Sequence, residues 1–291
     1  MIETTVPGWS RLYVTAGQNG RVTAALPLMM RRVGGALVLA SMPFGTYGGA
    51  LIGDGERGAV AAELFRRFGE MARSPRVACA ELVDFSSRIA TVPHNGTAPR
   101  TIEAHVLDLA PGYRSLLRRF SPSNRNKIRK AMRSGVVVRR AVSVAEFLEY
   151  HTILADCCAR WRRPVRLTPG FFRELSTHDG AHVEVWLAEH DGRTVAGLLN
   201  FLHDGTVMNW GSVSLAAGRQ LAVHNLLHAT AIESASRRGA FVYNFGANPG
   251  LPGVAAFKAS FGTRPLPYHA YRIDKLWYRL LRDRPTRAQA F

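Results

Sequence analysis

Apolar and polar residues alternate in the same way at two places, one in each half of the chain. The segments are 18–26, QNGRVTAAL, and 190–198, HDGRTVAGL. Each has an Asn-Gly or Asp-Gly pair between two strand-like runs, which is the strongest short-range signal of a β-hairpin. The pattern therefore predicts two hairpins in corresponding positions.

The elements predicted after each hairpin also follow one order: an extended segment, a glycine-containing loop, a helix and a strand. They lie at 36–40, 43–53, 58–73 and 77–84 in the first half, and at 207–213, 214–220, 221–238 and 240–245 in the second. A repeated order of elements indicates duplicated units. The predicted fold class is therefore α+β, with two related domains at residues 1–110 and 111–291.

The stretch between the two repeats is predicted to be helical. We expect helices at 113–120 and 124–134, with Ser123 as the N-cap of the second helix and Gly135 after its end. The apolar positions of the second helix form a narrow stripe of Ile128, Ala131 and Met132. Its basic residues are therefore expected on the exposed face.

A longer helix is predicted at 144–160, with Ser143 as its cap. Helical spacing selects a set of residues that are expected to face the core: Phe147, Leu148, His151, Leu154 and Ala155.

Basic residues outnumber acidic ones, with 38 Lys and Arg against 21 Asp and Glu, a formal net charge of +17. They are clustered, since 113–140 holds ten basic residues and no acidic one, and 272–287 holds six basic residues beside Asp274 and Asp283. Such a field attracts nucleic acid, anionic membrane, phosphorylated substrates and nucleotide cofactors. A general bias toward arginine codons would give the same composition without such a partner.

The composition excludes several classes of protein. With 47% hydrophobic residues, the chain is neither a disordered tail nor collagen-like, and no apolar run approaches the roughly 18 residues that span a bilayer. Glu3 lies where a secretory signal carries a basic residue, so no export by that route is expected. Three cysteines, Cys79, Cys157 and Cys158, do not make a disulfide framework, which favours a reducing cytoplasm.

The common catalytic motifs are missing from the sequence. His224 and His228 are four residues apart, but Asn225 stands where a zinc protease needs Glu, so packing or substrate contact is favoured and no metal is expected. The chain has neither a Gly-x-Ser-x-Gly elbow nor a phosphate loop of the P-loop or dinucleotide type.

Two other segments favour a binding or catalytic role. The segment 216–222, AAGRQLA, leads into a predicted helix, whose free N–H groups beside Arg219 would suit an anion, although an ordinary loop-to-helix junction has the same pattern. A glycine-rich loop at 243–250 precedes a segment that places Lys258 between two aromatic residues. Such a lysine can orient a phosphate or stabilise an oxyanion, or merely pack its stem on the aromatic rings.

Taken together, these residues resemble the FemAB-type branch of the GNAT acyltransferases. The resemblance rests on YNFG at 243–246 and FKASFGTRP at 257–265, with NKIRKA at 126–131 and PFGTYGG at 43–49. It implies two tandem GNAT-like domains, each with a mixed, mostly antiparallel sheet flanked by helices, the first shortened at its N-terminus. It also implies transfer of an acetyl or aminoacyl group to an amino group of a cell-envelope or polysaccharide precursor, or of a small amine.

The same resemblance implies roles for individual residues. Lys258 is the expected catalytic residue. The acyl donor, acyl-CoA (acetyl-CoA) or aminoacyl-tRNA, is expected to contact Arg219, Gln220 and Asn225. The acceptor is expected to contact Tyr47, Asp54, Asn209 and Gly246. The chain departs from the family pattern at Ala222 and His224, which occupy glycine positions of the CoA loop, and at Asn244, which replaces an acid.

Two other functions remain open from the sequence. One is a basic nucleic-acid-binding protein without catalytic activity that contacts tRNA through 114–140; stable DNA binding is not expected. The other is peripheral contact with an anionic membrane through the tail at 271–284, which would place the cytoplasmic protein at the inner membrane surface. A C-terminal helix that docks on its own domain would show the same tail pattern.

Overall fold

The computed structural model describes residues 1–45, 47–53, 59–85, 99–248 and 250–282. The chain folds into two compact units. We call Glu103–Leu266 the central unit, and Ile2–Ile102 together with the segment from Pro267 onward the discontinuous unit. The predicted division after residue 110 differs from this grouping mainly in the C-terminal segment, which groups with the first half of the chain.

Among its described residues, the first part of the discontinuous unit has two helices and five strands. In chain order these are α1 (Ile2–Thr5), β1 (Trp9–Gln18), β2 (Arg21–Val33), β3 (Ala36–Ala40), β4 (Leu51–Ile52), α2 (Ala59–Arg73) and β5 (Val77–Asp84). Strands β1 and β2 form the predicted hairpin, with Asn19 and Gly20 at positive φ in its turn. Strand β3 pairs antiparallel with β2 and parallel with β5, and α2 packs its apolar face on this sheet.

The chain then crosses into the central unit along β6 (Arg100–Asp108). The elements that follow are α3 (Tyr113–Arg119), α4 (Pro122–Arg133), β7 (Val137–Arg140), α5 (Val144–Arg160), α6 (Pro169–Ser176), β8 (Val183–His190), β9 (Arg193–His203), β10 (Thr206–Ser214), α7 (Ala216–Gln220), α8 (Val223–Arg237), β11 (Val242–Ala247) and α9 (Pro252–Ala259). The strand order is β6-β11-β10-β9-β8-β7, in which β10 and β11 are parallel.

The last strand, β12 (Arg264–Asp274), returns the chain to the discontinuous unit, and α10 (Leu276–Arg282) follows it. From His269 to Asp274, β12 pairs antiparallel with β5. Its Tyr271 belongs to the apolar core beneath α2. The discontinuous unit therefore takes a strand from the far end of the sequence.

The second predicted hairpin is also present. Strands β8 and β9 pair antiparallel around Asp191 and Gly192, both at positive φ. Helix α8 lies against this sheet with most of its residues buried, including Leu227 and Ile232, which accounts for its weak amphipathic pattern.

Three predicted helix boundaries or faces were wrong. Helix α4 begins at Pro122, because Ser121 rather than Ser123 is the N-cap and accepts a hydrogen bond from Asn124 N at 3.1 Å. Met132 is 60% exposed, since it lies beside the buried stripe rather than in it. Helix α8 begins at Val223 instead of 221, because Ala222 adopts a left-handed conformation that separates it from α7.

Helix α5 has the predicted cap but a rotated face. Ser143 and Glu146 form a reciprocal capping box. The buried residues are Phe147, Tyr150, Ile153 and Cys157, whereas Leu148, His151, Leu154 and Ala155 are half-buried. The ring of Tyr150 occupies space that side chains at Gly197 and Gly211 would fill, which turns the helix away from the predicted face. In the described part of the chain, no helix combines the length and apolar character needed to cross a bilayer.

Candidate functional site

Two parallel strands of the central unit separate part-way along their length. Pairing of β10 with β11 covers Thr206–Met208 against Val242–Asn244 and ends there, although both strands continue. On β10 the register shifts between Asn209 and Gly211, and on β11 it shifts between Asn244 and Ala247. We call the region beyond Met208 and Asn244 the strand gap.

Gly246 lies at this gap because its backbone has a conformation that L side chains rarely adopt. Its φ is +73°, and an added Cβ would lie 3.5 Å from the carbonyl oxygen of Asn209. The side chain of Asn244 accepts a hydrogen bond from Gly246 N at 2.8 Å, which holds the turned backbone in place. Asn209 and Gly246, both predicted to contact the acceptor, are therefore neighbours.

Lys258 reaches the same place from α9. Its side chain donates hydrogen bonds to the carbonyl oxygens of Gly246 at 2.9 Å and Ala247 at 2.7 Å. The residue is only 8% exposed, and this burial lowers the pKa of its amine to about 8. An ammonium group has three N–H donors, so one remains after these two bonds.

Thr263 and His105 form hydrogen bonds that fix the backbone of Lys258, and the sequence did not predict this role. The hydroxyl of Thr263 donates to the carbonyl oxygen of Lys258 at 3.1 Å, and Nδ1 of His105 lies 2.9 Å from that hydroxyl. Burial and the nearby charge of Lys258 lower the pKa of His105. Single His and Thr residues far apart in sequence carry no local signal of this contact.

A chain of buried polar groups begins at Asn209. Its amide nitrogen donates to Leu199 O and Asn200 Oδ1, both at 3.2 Å, and its Oδ1 accepts from Ser212 Oγ at 3.1 Å. Because that bond uses the single hydroxyl proton of Ser212, Ser212 can only accept from His228 Nε2, which lies 3.3 Å away. His228 therefore carries its proton on Nε2.

The remaining nitrogen of His228 bonds to a second buried group, and Asn200 continues the chain from Asn209 in the other direction. Burial, with the charges of His224 and Lys258, holds the pKa of His228 well below its ordinary value, so the ring is neutral and Nδ1 accepts from the Tyr243 hydroxyl at 3.1 Å. Asn200 donates to Glu184 at 2.9 Å, and Arg238 pairs with the same carboxylate at 2.7 Å. The carboxamide of Asn209 is thus held by a series of directed hydrogen bonds.

The predicted donor residues lie where α7 meets α8. Arg219 and Gln220 are exposed on α7, and Lys130 of α4 donates to the carbonyl oxygen of Gln220 at 2.9 Å. Asn225 is buried and donates to Asn124 Oδ1 at 2.8 Å, so its side chain joins α8 to α4.

His224 lies in the first turn of α8, close to the predicted donor residues. Its Nε2 is 3.0 Å from Ser214 Oγ, and burial lowers its pKa to about 4. Its Nδ1 is buried and has no hydrogen-bond partner in the described part of the chain. The His224 ring is therefore neutral near pH 7.

Exposed basic side chains cover the outer sides of α3 and α4. We call this group the basic surface: Arg114, Arg118, Arg119, Lys127, Arg129, Lys130 and Arg133. None of them pairs with an acidic side chain of the residues that the structure describes. Through its bond to Gln220, Lys130 links this surface directly to the predicted donor residues.

Tyr47 belongs to the discontinuous unit. Its ring stacks on Phe85 with centroids 4.3 Å apart and meets Tyr268 edge-on at 5.2 Å. Asp54, also predicted to contact the acceptor, lies outside the described residues. Within those residues, no group of three His, Cys, Asp or Glu side chains is arranged to hold a metal ion.

A model of the acetyltransferase (GNAT) domain matches residues 109–259. The chain belongs to the GNAT acetyltransferase family. The match contains Lys258, Asn209, Gly246 and the α7–α8 junction, so the strand gap lies within the family domain. The resemblance to GNAT acyltransferases is confirmed. No curated protein sequence matched the chain.

Solved structures share the fold at low sequence identity. FemX is 15% identical with a TM-score of 0.65, covering 94% of this chain and 90% of its own. A tandem GNAT protein from the clavulanic acid biosynthesis pathway is 15% identical with a TM-score of 0.59. The match covers 92% of this chain and 84% of that protein. The C-terminal domain of a putative lysylphosphatidylglycerol synthetase from Agrobacterium fabrum is 16% identical with a TM-score of 0.62. The match covers 93% of this chain and 86% of that domain. The predicted α+β fold of the tandem GNAT type is confirmed.

Proposed function

We propose that the protein is an N-acyltransferase that carries out acyl transfer in the strand gap, with Lys258 as its catalytic residue. The observation that carries this proposal is the position of the Lys258 amine, which is held between the ends of β11 and α9 by two backbone carbonyl groups. Family membership supports the reaction class, and this geometry supports a role for the Lys258 amine as a hydrogen-bond donor.

In the proposed reaction, the nitrogen of the acceptor attacks the carbonyl carbon of the acyl donor. A new C–N bond forms, the carbonyl oxygen becomes an oxyanion, and the C–S bond of a thioester or the C–O bond of an ester then breaks. The third N–H of Lys258 donates to that oxyanion, which stabilises the charge as it develops. The departing thiolate or alkoxide takes up one proton, and the proton lost by the amine passes to solvent.

The donor proposed first is an acyl-CoA, whose phosphates would lie at the α7–α8 junction. Arg219 is exposed there, and the first N–H groups of α8 follow the left-handed Ala222. Asn225, which is held by Asn124, is proposed to position the helix rather than to bind the donor.

An aminoacyl-tRNA is the second candidate donor, and the basic surface favours it. Seven exposed cations without acidic partners in the described chain continue, through Lys130, to the same α7–α8 junction. Contacts of this kind with a phosphate backbone would make binding strongly salt-dependent.

The acceptor is proposed to be an amino group of a cell-envelope or polysaccharide precursor, or of a small amine. Asn209 and Gly246 would contact it at the strand gap, and Tyr47 and Asp54 are proposed as further contacts. The fold shared with FemX and with a lysylphosphatidylglycerol synthetase domain supports an acceptor of the cell envelope. We propose that the reaction takes place in the cytoplasm.

Thermal unfolding with and without millimolar acetyl-CoA tests the donor, alongside titration with charged tRNA at two salt concentrations. A ligand present at 100 times its Kd adds about 2.7 kcal/mol to stability. We expect stabilisation by acetyl-CoA that Arg219→Ala weakens, whereas Arg193→Ala, at an exposed arginine of the β8–β9 hairpin, leaves it unchanged. Salt-sensitive tRNA binding without stabilisation by acetyl-CoA supports the second donor. Absence of both stabilisation by acetyl-CoA and binding of tRNA contradicts the proposal that the protein is an N-acyltransferase using one of these donors.

A further inference from the structure

Helix α10 presents its apolar side to solvent. Leu276 is 61% exposed, Trp277 43% and Leu280 59%. At about 100° per residue, these three side chains fall within an arc of roughly 100° on one side of the helix. Three exposed apolar side chains that are contiguous on one side of a helix indicate a surface that has a partner.

The start of α10 is fixed to the discontinuous unit by polar contacts. The backbone N–H of Lys275 donates to Ala78 O at 2.8 Å, and its side chain donates to Arg73 O at 3.2 Å. Arg279 N in turn donates to Lys275 O at 2.9 Å. The helix therefore leaves the sheet in a defined direction with Leu276 and Leu280 turned outward.

Basic residues flank the apolar arc. Arg279 is exposed beside Leu280, and Lys275 directly precedes the helix. Leucine and tryptophan side chains bordered by arginine and lysine are typical of helices that lie in the headgroup region of an anionic bilayer. A second copy of this chain is a poorer partner, because it would bring the same cations, and a net charge of +17, against themselves.

We propose that α10 docks the protein on an anionic lipid surface, with Leu276, Trp277 and Leu280 inserted among the acyl chains and Arg279 at the lipid phosphates. The proposal is independent of the acyl-transfer reaction. It requires only that the exposed side of α10 be available, as it is in this structure.

Co-flotation of the full chain with vesicles tests the proposal. We expect binding to vesicles of phosphatidylcholine and phosphatidylglycerol, and little binding to phosphatidylcholine alone. Leu276→Ser with Leu280→Ser lowers the affinity by about a hundredfold, since each leucine contributes roughly tenfold or more when buried. Arg279→Glu lowers it by about thirtyfold on the anionic vesicles only.

Two matched variants complete the test. Phe241→Ser changes an exposed aromatic residue of the central unit and leaves vesicle binding unchanged. Trp277→Phe retains the apolar arc and most of the binding, and unchanged thermal unfolding shows that each variant is folded. Absence of binding to the anionic vesicles at low salt overturns the proposal. It is also overturned if the Leu276→Ser, Leu280→Ser variant floats like the wild type. A wild-type protein that does not float but self-associates, and loses self-association in this variant, likewise overturns it.

Discussion

The side-chain nitrogen of Lys258 lies 2.9 Å from the carbonyl oxygen of Gly246, so the amine is fixed at the turn where β11 separates from β10. Replacing Lys258 with Met keeps an apolar stem and removes the donor. We expect kcat for acyl transfer to fall by about a hundredfold or more, since loss of one oxyanion donor typically has this effect. Initial rates at saturating acetyl-CoA and amine measure it.

Lys275→Met is the control for this substitution. Lys275 also donates to a backbone carbonyl, that of Arg73, but it lies in the discontinuous unit. We expect its kcat to match the wild type. An equal loss of rate in both variants would contradict the catalytic role of Lys258.

Stability is expected to rise with pH above about 8 because of Lys258. Burial lowers the pKa of its amine from an ordinary 10.5 to about 8, so between these values the unfolded chain binds more protons than the folded one. Below pH 8 the amine is protonated in both states and contributes no pH dependence. The wild type should therefore gain up to about 1.4 kcal/mol per pH unit relative to Lys258→Met across this window. Urea unfolding at pH 7.5, 8.5 and 9.5 measures the difference, and parallel profiles would count against the lowered pKa.

The same pKa gives the sign of the pH–rate profile. If the ammonium form donates to the oxyanion, kcat falls as the pH rises through about 8. A rate that instead increases through this pH would assign Lys258 the role of a base and refute its role as a donor.

Gly246→Ala is expected to destabilise the protein by about 1–2 kcal/mol, because an L side chain at positive φ is strained. It also places a methyl group against Asn209 O. Gly253→Ala, in the first turn of α9, meets no atom within 4 Å and has no positive φ, so it should be neutral or stabilising by up to about 1 kcal/mol. Thermal unfolding of the two variants provides the comparison. Equal stabilities would show that the turn at Gly246 is not constrained.

His228 is expected to remain neutral at pH 6 with its proton on Nε2. Nitrogen-15 NMR of labelled histidine distinguishes this tautomer from the Nδ1–H form and from imidazolium. Ser212→Ala leaves the Nε2–H group and Asn209 Oδ1 without their shared partner, which should cost about 1–3 kcal/mol. Observation of an Nδ1–H tautomer in the wild type would contradict the assigned directions of the His228 hydrogen bonds with Ser212 and Tyr243.

Local signals predicted local structure well. The two hairpins follow from Asn-Gly and Asp-Gly turns, and the start of α5 follows from Ser143 with Glu146 three residues later. The face of α5 was mispredicted because it depends on Tyr150 fitting over two glycines of β9 and β10, which lie far along the chain. No helical spacing contains that information.

Within the candidate site, the sequence predicted residues but not their connections. Lys258 and Gly246 were identified by a motif, and the structure brings them into contact. Asn225 was predicted to bind the donor, yet its amide is engaged by Asn124, a partner 101 residues earlier in the chain. Ser212 and His105 act through contacts that form only after the strands have assembled, so they gave no signal in the sequence.

The return of β12 to β5 determines the order in which the protein can fold during synthesis. All of the central unit, from Glu103 to Leu266, has been translated before His269 exists to pair with Asp84. The edge of β5 that later pairs with β12 therefore stays unpaired throughout that time. An unpaired strand edge can pair with strands of other chains and cause aggregation. Translation must therefore pass through the whole central unit before the discontinuous unit can be complete.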